Sequence, residues 1–471
     1  MGQTAVAPQV SDSTPSAAGG PDDGVGGMYW EQKVEYAALS DIGFRRRNNQ
    51  DSYAVQISGD RDQWAARGHL FLVADGMGGH AVGELASKIA ADTIPHTYHK
   101  LHDMPAGEAL RSAVLTGNAT INARGEMNRD FTRMGTTCTT LVLGPEGALI
   151  AHVGDSRAYR VRGDRIEQLT FDHSLQWELL RQGRMSPEEI MRREPRNVIT
   201  RSLGPSPTVE VDLEGPYPTR PQDVYILCSD GLTSMVRDEE IGIAVRELPP
   251  TEACRLLVDL ANLRGGPDNI TVLVVRVGAV PEGLPLERAA EREGSHDAIL
   301  GWVQPLLLLF AGIAFIAGHL LTTTDRPLAG FLVQAMGIMS IGGLALSGLR
   351  QRRKATERAH LPETTPGTPY RTASARINPA FVTELANIEN NLQRSALEEG
   401  WSIEWNQHSQ YFQAGKTALA EGRLSDSIRD FAKAIHILMV GIHLIRKQRD
   451  QVAKWGQRPS AGRDERDSNG K

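Results

Sequence analysis

The sequence predicts a mixed α/β domain, then an apolar helical hairpin, then a small all-α unit. Three observations predict it. Between Met28 and Val280, short apolar runs alternate with segments of helical period. Two almost uncharged runs, Ile299 to Leu321 and Leu328 to Leu349, are each about the ~20 residues that a membrane-crossing helix needs. From Pro379 to about Trp455 the pattern is helical again.

Within the first domain the strand-like runs are His69 to Ala74, Thr137 to Leu143, Ala148 to Val153, Asp223 to Cys228 and Ile270 to Val277. Helical patterns cover Ala81 to Leu101, Ala106 to Arg124, Asp238 to Leu248 and Thr251 to Arg264. With 40% hydrophobic and 23% charged residues over 471 positions, the chain has apolar content for real cores. That excludes a wholly disordered or coiled-coil protein. A formal net charge of -6 argues against a broad nucleic-acid-binding surface, so no nucleic-acid partner is expected. The three cysteines, Cys138, Cys228 and Cys254, are too scattered for a disulfide framework or a zinc site, and read as small buried hydrophobes.

The expected organisation is a disordered leader (1–27), the α/β domain (28–280), a charged linker (281–298), the hairpin (299–349), a basic linker (350–378), a helical domain (379–458) and a disordered tail (459–471). The leader lacks the basic and apolar regions of a secretory signal. The hairpin turns at Thr322 to Pro327. Arg350, Arg352, Arg353 and Lys354 follow it, Arg288 and Arg292 precede it, and the connection holds only Arg326. The positive-inside rule then places both flanks in the cytoplasm, with two spans in the inner membrane. A buried soluble hairpin is the other reading. In the helical domain, Gly415 and Ala418 sit on one helix, Gly422 makes a turn, and Phe431, Ala434 and Ile435 sit on the next. This reads either as a single tetratricopeptide-like repeat or as an ordinary helical hairpin, able to bind a protein partner or self-associate through 379–455.

The chemistry lies in the acids. Strand-like runs repeatedly end in aspartate: Asp75 before Gly76, Asp155 in Gly154-Asp-Ser-Arg157, Asp230 before Gly231, and Asp268 ahead of a final strand, with Asp51 opening the series. Each Asp-Gly pair alone is an ordinary turn. Five acids delivered by strand ends would converge, and converged carboxylates need protons or cations. Oxygen ligands that leave room for water suit magnesium or manganese.

These residues fall in ordered motifs: Arg46-Arg-Asn-Asn-Gln-Asp51, Val73-Ala-Asp-Gly-Met-Gly-Gly-His80, Gly135-Thr-Thr137, His152-Val-Gly-Asp-Ser-Arg-Ala-Tyr159, Leu169-Thr-Phe-Asp-His-Ser174, Ile199-Thr-Arg-Ser-Leu-Gly204, Cys228-Ser-Asp-Gly-Leu232 and Pro267-Asp-Asn-Ile-Thr271. Carrying this set in order, Met28 to Val280 resembles the metal-dependent serine/threonine protein phosphatases of the 2C type, in their bacterial form. The resemblance implies an α+β sandwich, α-β-β-α, of two mostly antiparallel sheets with a metal site opening at one end. It implies two Mn2+ or Mg2+ ions and a third, weaker one. Asp75 would bridge two ions, the carbonyl of Gly76 would ligate one, and Asp230 and Asp268 would hold the other. Asp51 would anchor bound waters, Asp155 would serve the third ion, and Arg46 would bind the substrate phosphate, which a guanidinium fork suits. Asn269 would orient the Asp268 loop.

The implied reaction is hydrolysis of phosphoserine or phosphothreonine by a hydroxide shared between the ions. The implied substrates are phosphoproteins, among them membrane-linked kinases. Two departures stand out. Gln50 replaces a Glu of many relatives and contributes no charge, and Met77 stands where some relatives place a histidine acid. His80, three residues on, is not equivalent, and His152 and His173 read as structural. Between His173 and Arg201, Arg181, Arg184, Arg192, Arg193 and Arg196 make a basic segment matching the family's flap. The rival reading is a catalytically weak or inactive scaffold on a degenerate phosphatase fold.

Overall fold

The computed structural model describes residues 34–128, 131, 134–182, 198–278, 317, 319 and 369–456. Two sheets face each other, and every pairing within them among the described residues is antiparallel. The first sheet joins β1 (Val34–Asp41), β11 (Ile270–Val277), β10 (Val224–Cys228), β7 (Arg157–Arg162), β8 (Arg165–Gln168) and β12 (Arg371–Ser374) in that order. The second joins β2 (Asp51–Gln56), β3 (His69–Met77), β5 (Cys138–Gly144), β6 (Gly147–Val153) and β9 (Asp212–Tyr217), with β4 (Gly135–Thr136) beside β3.

Each sheet is apolar on both faces, and three cores result. Phe71, Val73, Leu141, Ile150, Tyr225, Leu227, Leu273 and Val275 fill the space between the sheets. The outer face of the second sheet is covered by α2 (His80–Lys100) and α3 (Ala106–Glu126), through Ile94, Tyr98, Leu110 and Ile121. The outer face of the first is covered by α6 (Asp238–Glu247) and α7 (Pro250–Leu263). Short helices α1 (Arg61–Arg67), α4 (Leu175–Gln182) and α5 (Asp230–Thr233) complete the domain. The α-β-β-α sandwich expected from the resemblance is present.

The C-terminal part departs from expectation. The linker expected over 350–378 contains β12, which pairs residue for residue with β8, Arg371 opposite Gln168 through Ser374 opposite Arg165. The physical reason is the open edge of β8, whose backbone groups find partners in the returning chain. Nor do the three helices that follow stand apart as a separate domain. They are α8 (Pro379–Glu398), α9 (Trp405–Ala420) and α10 (Leu424–Gly456). Phe381, Val382, Leu385, Ile428, Ile435 and Met439 share one apolar core with Leu256, Leu257 and Leu260 of α7. Polar ties frame this contact: Arg264 reaches Glu240 and Glu384, each at 2.7 Å, and His436 meets Asp259 at 2.9 Å. Of the two readings of this unit the ordinary helical hairpin is present, since a Cβ on Gly415 would lie 3.0 Å from the Phe431 ring and Gly422 turns the chain at φ +75°, while the tetratricopeptide-like repeat finds no support. Its inner face is covered within the same chain, so a partner or second copy would meet only the outer one.

The leader, the linker over 281–298, the tail beyond residue 456 and the hairpin over 299–349, save Ala317 and His319, lie outside the described residues. Among the described residues no helix is long and apolar enough to cross a membrane. Arg181 is on α4, but Arg184, Arg192, Arg193 and Arg196 of the basic segment also fall outside.

Candidate active site

The acids arrive from strand ends of both sheets. Asp51 opens β2 and stands opposite Asp75 on β3 in the antiparallel register. Asp155 follows β6, Asp230 opens α5 just after β10, and Asp268 lies two residues ahead of β11. Asp51 and Asp155 are buried. Asp51 and Asp75 are cross-strand partners, Asp51 is hydrogen-bonded to Ser229 beside Asp230, and the charges of Asp51, Asp230, Asp155 and Asp268 are near enough to act on Asp75.

Hydroxyls and amides hold Asp51 and Asp75. Asp51 Oδ2 accepts from Ser229 Oγ at 2.8 Å and Thr271 Oγ1 at 2.7 Å. A hydroxyl has one proton to give, so the 2.8 Å contact between Ser40 and Thr271 must run from Ser40. Asn49 Nδ2 donates to Ser40 Oγ at 2.8 Å in turn. The result is a one-way relay from Asn49 through Ser40 and Thr271 to Asp51. The backbone of Asp75 is gripped by the Gly135-Thr-Thr motif: its N–H donates to Thr137 Oγ1, and its carbonyl accepts from Thr137 N and Thr136 Oγ1, all at 2.9 Å.

Gly76 sits where no side chain fits. A Cβ there would lie 2.1 Å from the carbonyl oxygen of Gly83 and 2.6 Å from that of Gln50. Gln50 is buried in this crossing, and its carbonyl accepts from Gly76 N at 3.1 Å and Ser87 Oγ at 2.6 Å. Asn269 ties two loops together. Its Oδ1 accepts from Gln50 N at 2.9 Å, and its Nδ2 donates to the carbonyls of Ile42 and Asn48 at 2.9 and 3.0 Å. Its backbone N–H donates to Asp268 Oδ1 at 2.8 Å, so it joins the Arg46–Asp51 loop to the Asp268 loop expected for it. At the rim, the half-exposed Arg46 guanidinium donates to Asp268 Oδ2 at 2.7 Å.

Burial, with repulsion among neighbouring acids, pushes Asp51, Asp75, Asp155 and Asp230 up. Burial raises Asp51 to about 7, with Asp230 and Asp268 adding to it and the Thr271 and Ser229 hydroxyls opposing. Burial and Asp230 raise Asp155 to about 8. Burial and Asp268 raise Asp230 to about 6, against a hydrogen bond with Asp75 and the charges of Arg157 and Arg46. Burial, followed by four neighbouring acids, lifts Asp75 well above the ordinary range.

Do these residues fit divalent cations? One carboxylate oxygen on each of Asp51, Asp155 and Asp230 is buried without a hydrogen-bond partner. Such atoms are costly unless a cation or proton meets them. Among the described residues, no three His, Cys, Asp or Glu side chains converge tightly enough to enclose an ion unaided. Magnesium and manganese keep several waters and accept a backbone carbonyl, so protein carboxylates need fill only part of their coordination. The donor set is all oxygen, as hard cations prefer.

The other titratable groups are structural. His152 bridges Thr139 and the Phe171 carbonyl at 3.0 and 2.9 Å, and His173 meets Asp212 at 3.0 Å. Burial pushes the Cys228 thiol up to about 12, which removes it as a nucleophile. The residues that reading the sequence left without a role are Ser229, Thr271, Ser40 and Thr137. Their one signal is adjacency, since each lies within or beside an acid-bearing motif or its partner strand.

A family model described as protein phosphatase 2C matches residues 45–252. The serine/threonine protein phosphatase PstP of Mycobacterium tuberculosis is 37% identical over 250 residues, a match covering 52% of this chain and 45% of PstP. The chain thus spans less than half the length of that relative. The serine/threonine phosphatase Stp of Listeria innocua is 36% identical over 251 residues, covering 52% of this chain and 96% of Stp. Among solved structures, the catalytic domain of PstP in complex with two manganese ions is 36% identical, with TM-score 0.44, covering 52% of this chain and 99% of that one.

Proposed function

This chain belongs to the protein phosphatase 2C family, and we propose that it is a metal-dependent protein serine/threonine phosphatase held at the cytoplasmic face of a membrane by residues 299–349. The observation that carries the enzymatic part is the convergence of Asp51, Asp75, Asp155, Asp230 and Asp268 beside a half-exposed arginine. Asp75, the Gly76 carbonyl, Asp230 and Asp268 would hold two Mn2+ or Mg2+ ions, with Asp155 serving a third. Bound there, the cations supply a water acidified enough to attack phosphorus.

The chain's own residues do the rest. Arg46 binds the phosphate dianion through its planar fork and offsets charge as the phosphoryl group transfers. Asp51, fixed by two hydroxyl donors on one oxygen, keeps its other oxygen free to orient water. The rigid Thr136–Thr137 and Asn269 contacts hold the loops at one spacing. Phosphorylated Ser/Thr proteins, including membrane-linked kinases, are the substrates of this reading. Tethering raises the local concentration of enzyme and substrate. The membrane part is supported by the two apolar runs and the basic residues flanking them.

The test is hydrolysis of a phosphothreonine peptide by the full chain with Mn2+, with Mg2+ and with chelator, in wild type and Asp230→Asn. Turnover that needs metal and falls by on the order of 100-fold or more in the variant is the expected result. A folded wild type inert with every divalent ion defeats the reading.

A further inference from the structure

The last helix reaches the loop that carries Arg46. Arg446 on α10 donates to the carbonyl of Phe44 at 2.7 Å and to that of Gly43 at 3.4 Å. Its guanidinium lies over the Phe44 ring, 4.3 Å from the centroid, and His443 meets the same ring edge-on at 5.6 Å. On the opposite side, the N–H groups of Phe44 and Arg45 donate to the Gly266 carbonyl at 2.8 and 3.0 Å. A Cβ on Gly43, where φ is +76°, would lie 2.0 Å from the Asp268 carbonyl oxygen. Residues 43–45 are therefore gripped between α10 and the loop bearing Asp268. The next residue is Arg46, whose guanidinium rests on Asp268.

The division of labour is complementary. The Gly266 carbonyl satisfies the Phe44 and Arg45 donors, and Arg446 supplies charged donors to the Gly43 and Phe44 carbonyls. The Phe44 ring adds a cation–π contact that fixes the segment's rotation about its own axis. Without Arg446 the two carbonyls turn to water for their partners. The peptide planes that aim Arg46 are then held from one side only.

We propose that Arg446 is a positioning residue for the phosphate-binding loop, which makes the C-terminal helical unit a working part of the phosphatase site. The proposal rests on the reading of Arg46 as the phosphate-binding side chain. It gives α8 to α10 a second job beyond covering α7. Whatever displaces α10 would loosen the grip on substrate phosphate without touching a carboxylate.

The experiment uses the full chain and four variants, Arg446→Met, Arg446→Lys, Arg46→Ala and the double variant Arg46→Ala with Arg446→Met. Two readouts are taken: amide hydrogen exchange over residues 42–50, and kcat and KM for a phosphothreonine peptide. In Arg446→Met, exchange over 42–50 speeds by about 10-fold while β11 is unchanged, and kcat/KM falls by roughly 10- to 100-fold, chiefly through KM. Arg446→Lys, which keeps the cation but not the fork, falls between wild type and Met in both readouts. In the Arg46→Ala background, Arg446→Met costs little more, because the effect travels through Arg46. Unchanged exchange over 42–50 overturns the proposal, as does an equal fold-loss of kcat/KM in the Arg46→Ala background. So does a Lys variant as damaged as the Met one with faster exchange throughout α10. A wild type without metal-dependent turnover defeats the phosphatase reading instead, and the exchange over 42–50 still decides whether Arg446 holds the loop.

Discussion

Replacing Thr271 by valine removes one hydroxyl from the site while leaving a β-branched side chain of the same shape on strand β11. The lost group donates to Asp51 Oδ2 at 2.7 Å and receives from Ser40. A hydrogen bond to a charged acceptor contributes about 1.5–3 kcal/mol. At ~1.4 kcal/mol per decade, that is roughly 10- to 100-fold in the affinity that depends on Asp51 being ionised and aimed. Residues behind metal ligands cost a similar ~10- to 100-fold when changed. The expected outcome is a Mn2+ activation midpoint raised by about that factor, with turnover at saturating Mn2+ largely retained. Titrating Mn2+ against phosphopeptide hydrolysis, with calorimetry of Mn2+ binding in parallel, measures it. Thr271→Ser keeps the hydroxyl and should stay near wild type. Ser40→Ala, one step up the relay, should give a smaller shift in the same direction. A Thr271→Val midpoint indistinguishable from wild type, or a Ser variant as impaired as the Val one, refutes the reasoning.

Three further outcomes are expected. Gly415→Val forces a branched side chain against the Phe431 ring, where even a Cβ would sit at 3.0 Å, and should destabilise by about 1–3 kcal/mol in chemical denaturation. Acid should weaken the fold through His152, which burial keeps neutral down to about 3 while an unfolded histidine takes its proton near 6.5. Through His152 the unfolded state binds more protons between those values, so the His152 contribution is full above ~6.5 and declines toward pH 3 by at most ~1.4 kcal/mol per pH unit, while the raised carboxylates of the site contribute in the opposite sense. The difference in urea midpoint between wild type and His152→Gln at stepped pH reads this slope: the wild type's advantage should shrink as pH falls below ~6.5. Asp212 adds a second decline below its ordinary range, because hydrogen bonding to His173 and the Arg201 charge overcome burial and lower it to about 2. Deleting 299–349 should move the protein from the membrane pellet to the supernatant with metal-dependent turnover intact; turnover lost together with membrane association would show that the runs serve the fold.

The parts of the fold that could be read from the residues are those whose apolar pattern owes nothing to distant partners. β3 and β11 are buried on both faces, so they appear as continuous apolar runs, and α2, α3, α6 and α7 carry a helical period. β7 and β8 were hidden because Arg157, Arg160, Arg162 and Arg165 break the pattern. The first three charges are met only across the sheet or from elsewhere in the fold, Arg157 by Asp172, Arg160 by Glu167 and Arg162 by Asp223. β12, with its sequence Arg-Thr-Ala-Ser, has no pattern of its own and exists because β8 needs a neighbour. In the site, the acids could be found because an aspartate closing an apolar strand is a conspicuous event. The hydroxyls of Ser40, Ser229 and Thr271 could not, since serine and threonine occur everywhere and only the register between strands aims them. Helical period announced that α10 hides a face. It could not announce that α7 and the Phe44 loop lie under it.

The return of residues 371–374 to the edge of β8 changes what a truncation would mean. The half of the chain that matches the phosphatase 2C family does not end where its last central strand ends. Cutting the chain after Val277 would strip the cover from Leu256, Leu257 and Leu260, leave the β8 edge bare, and remove Arg446 from Phe44. Such a fragment should aggregate and handle phosphate poorly even with every carboxylate in place. A protease nick between residues 279 and 368, by contrast, should leave two pieces that stay together through strand pairing and the shared apolar core, much as a book keeps its shape when the spine is slit but the pages are still glued.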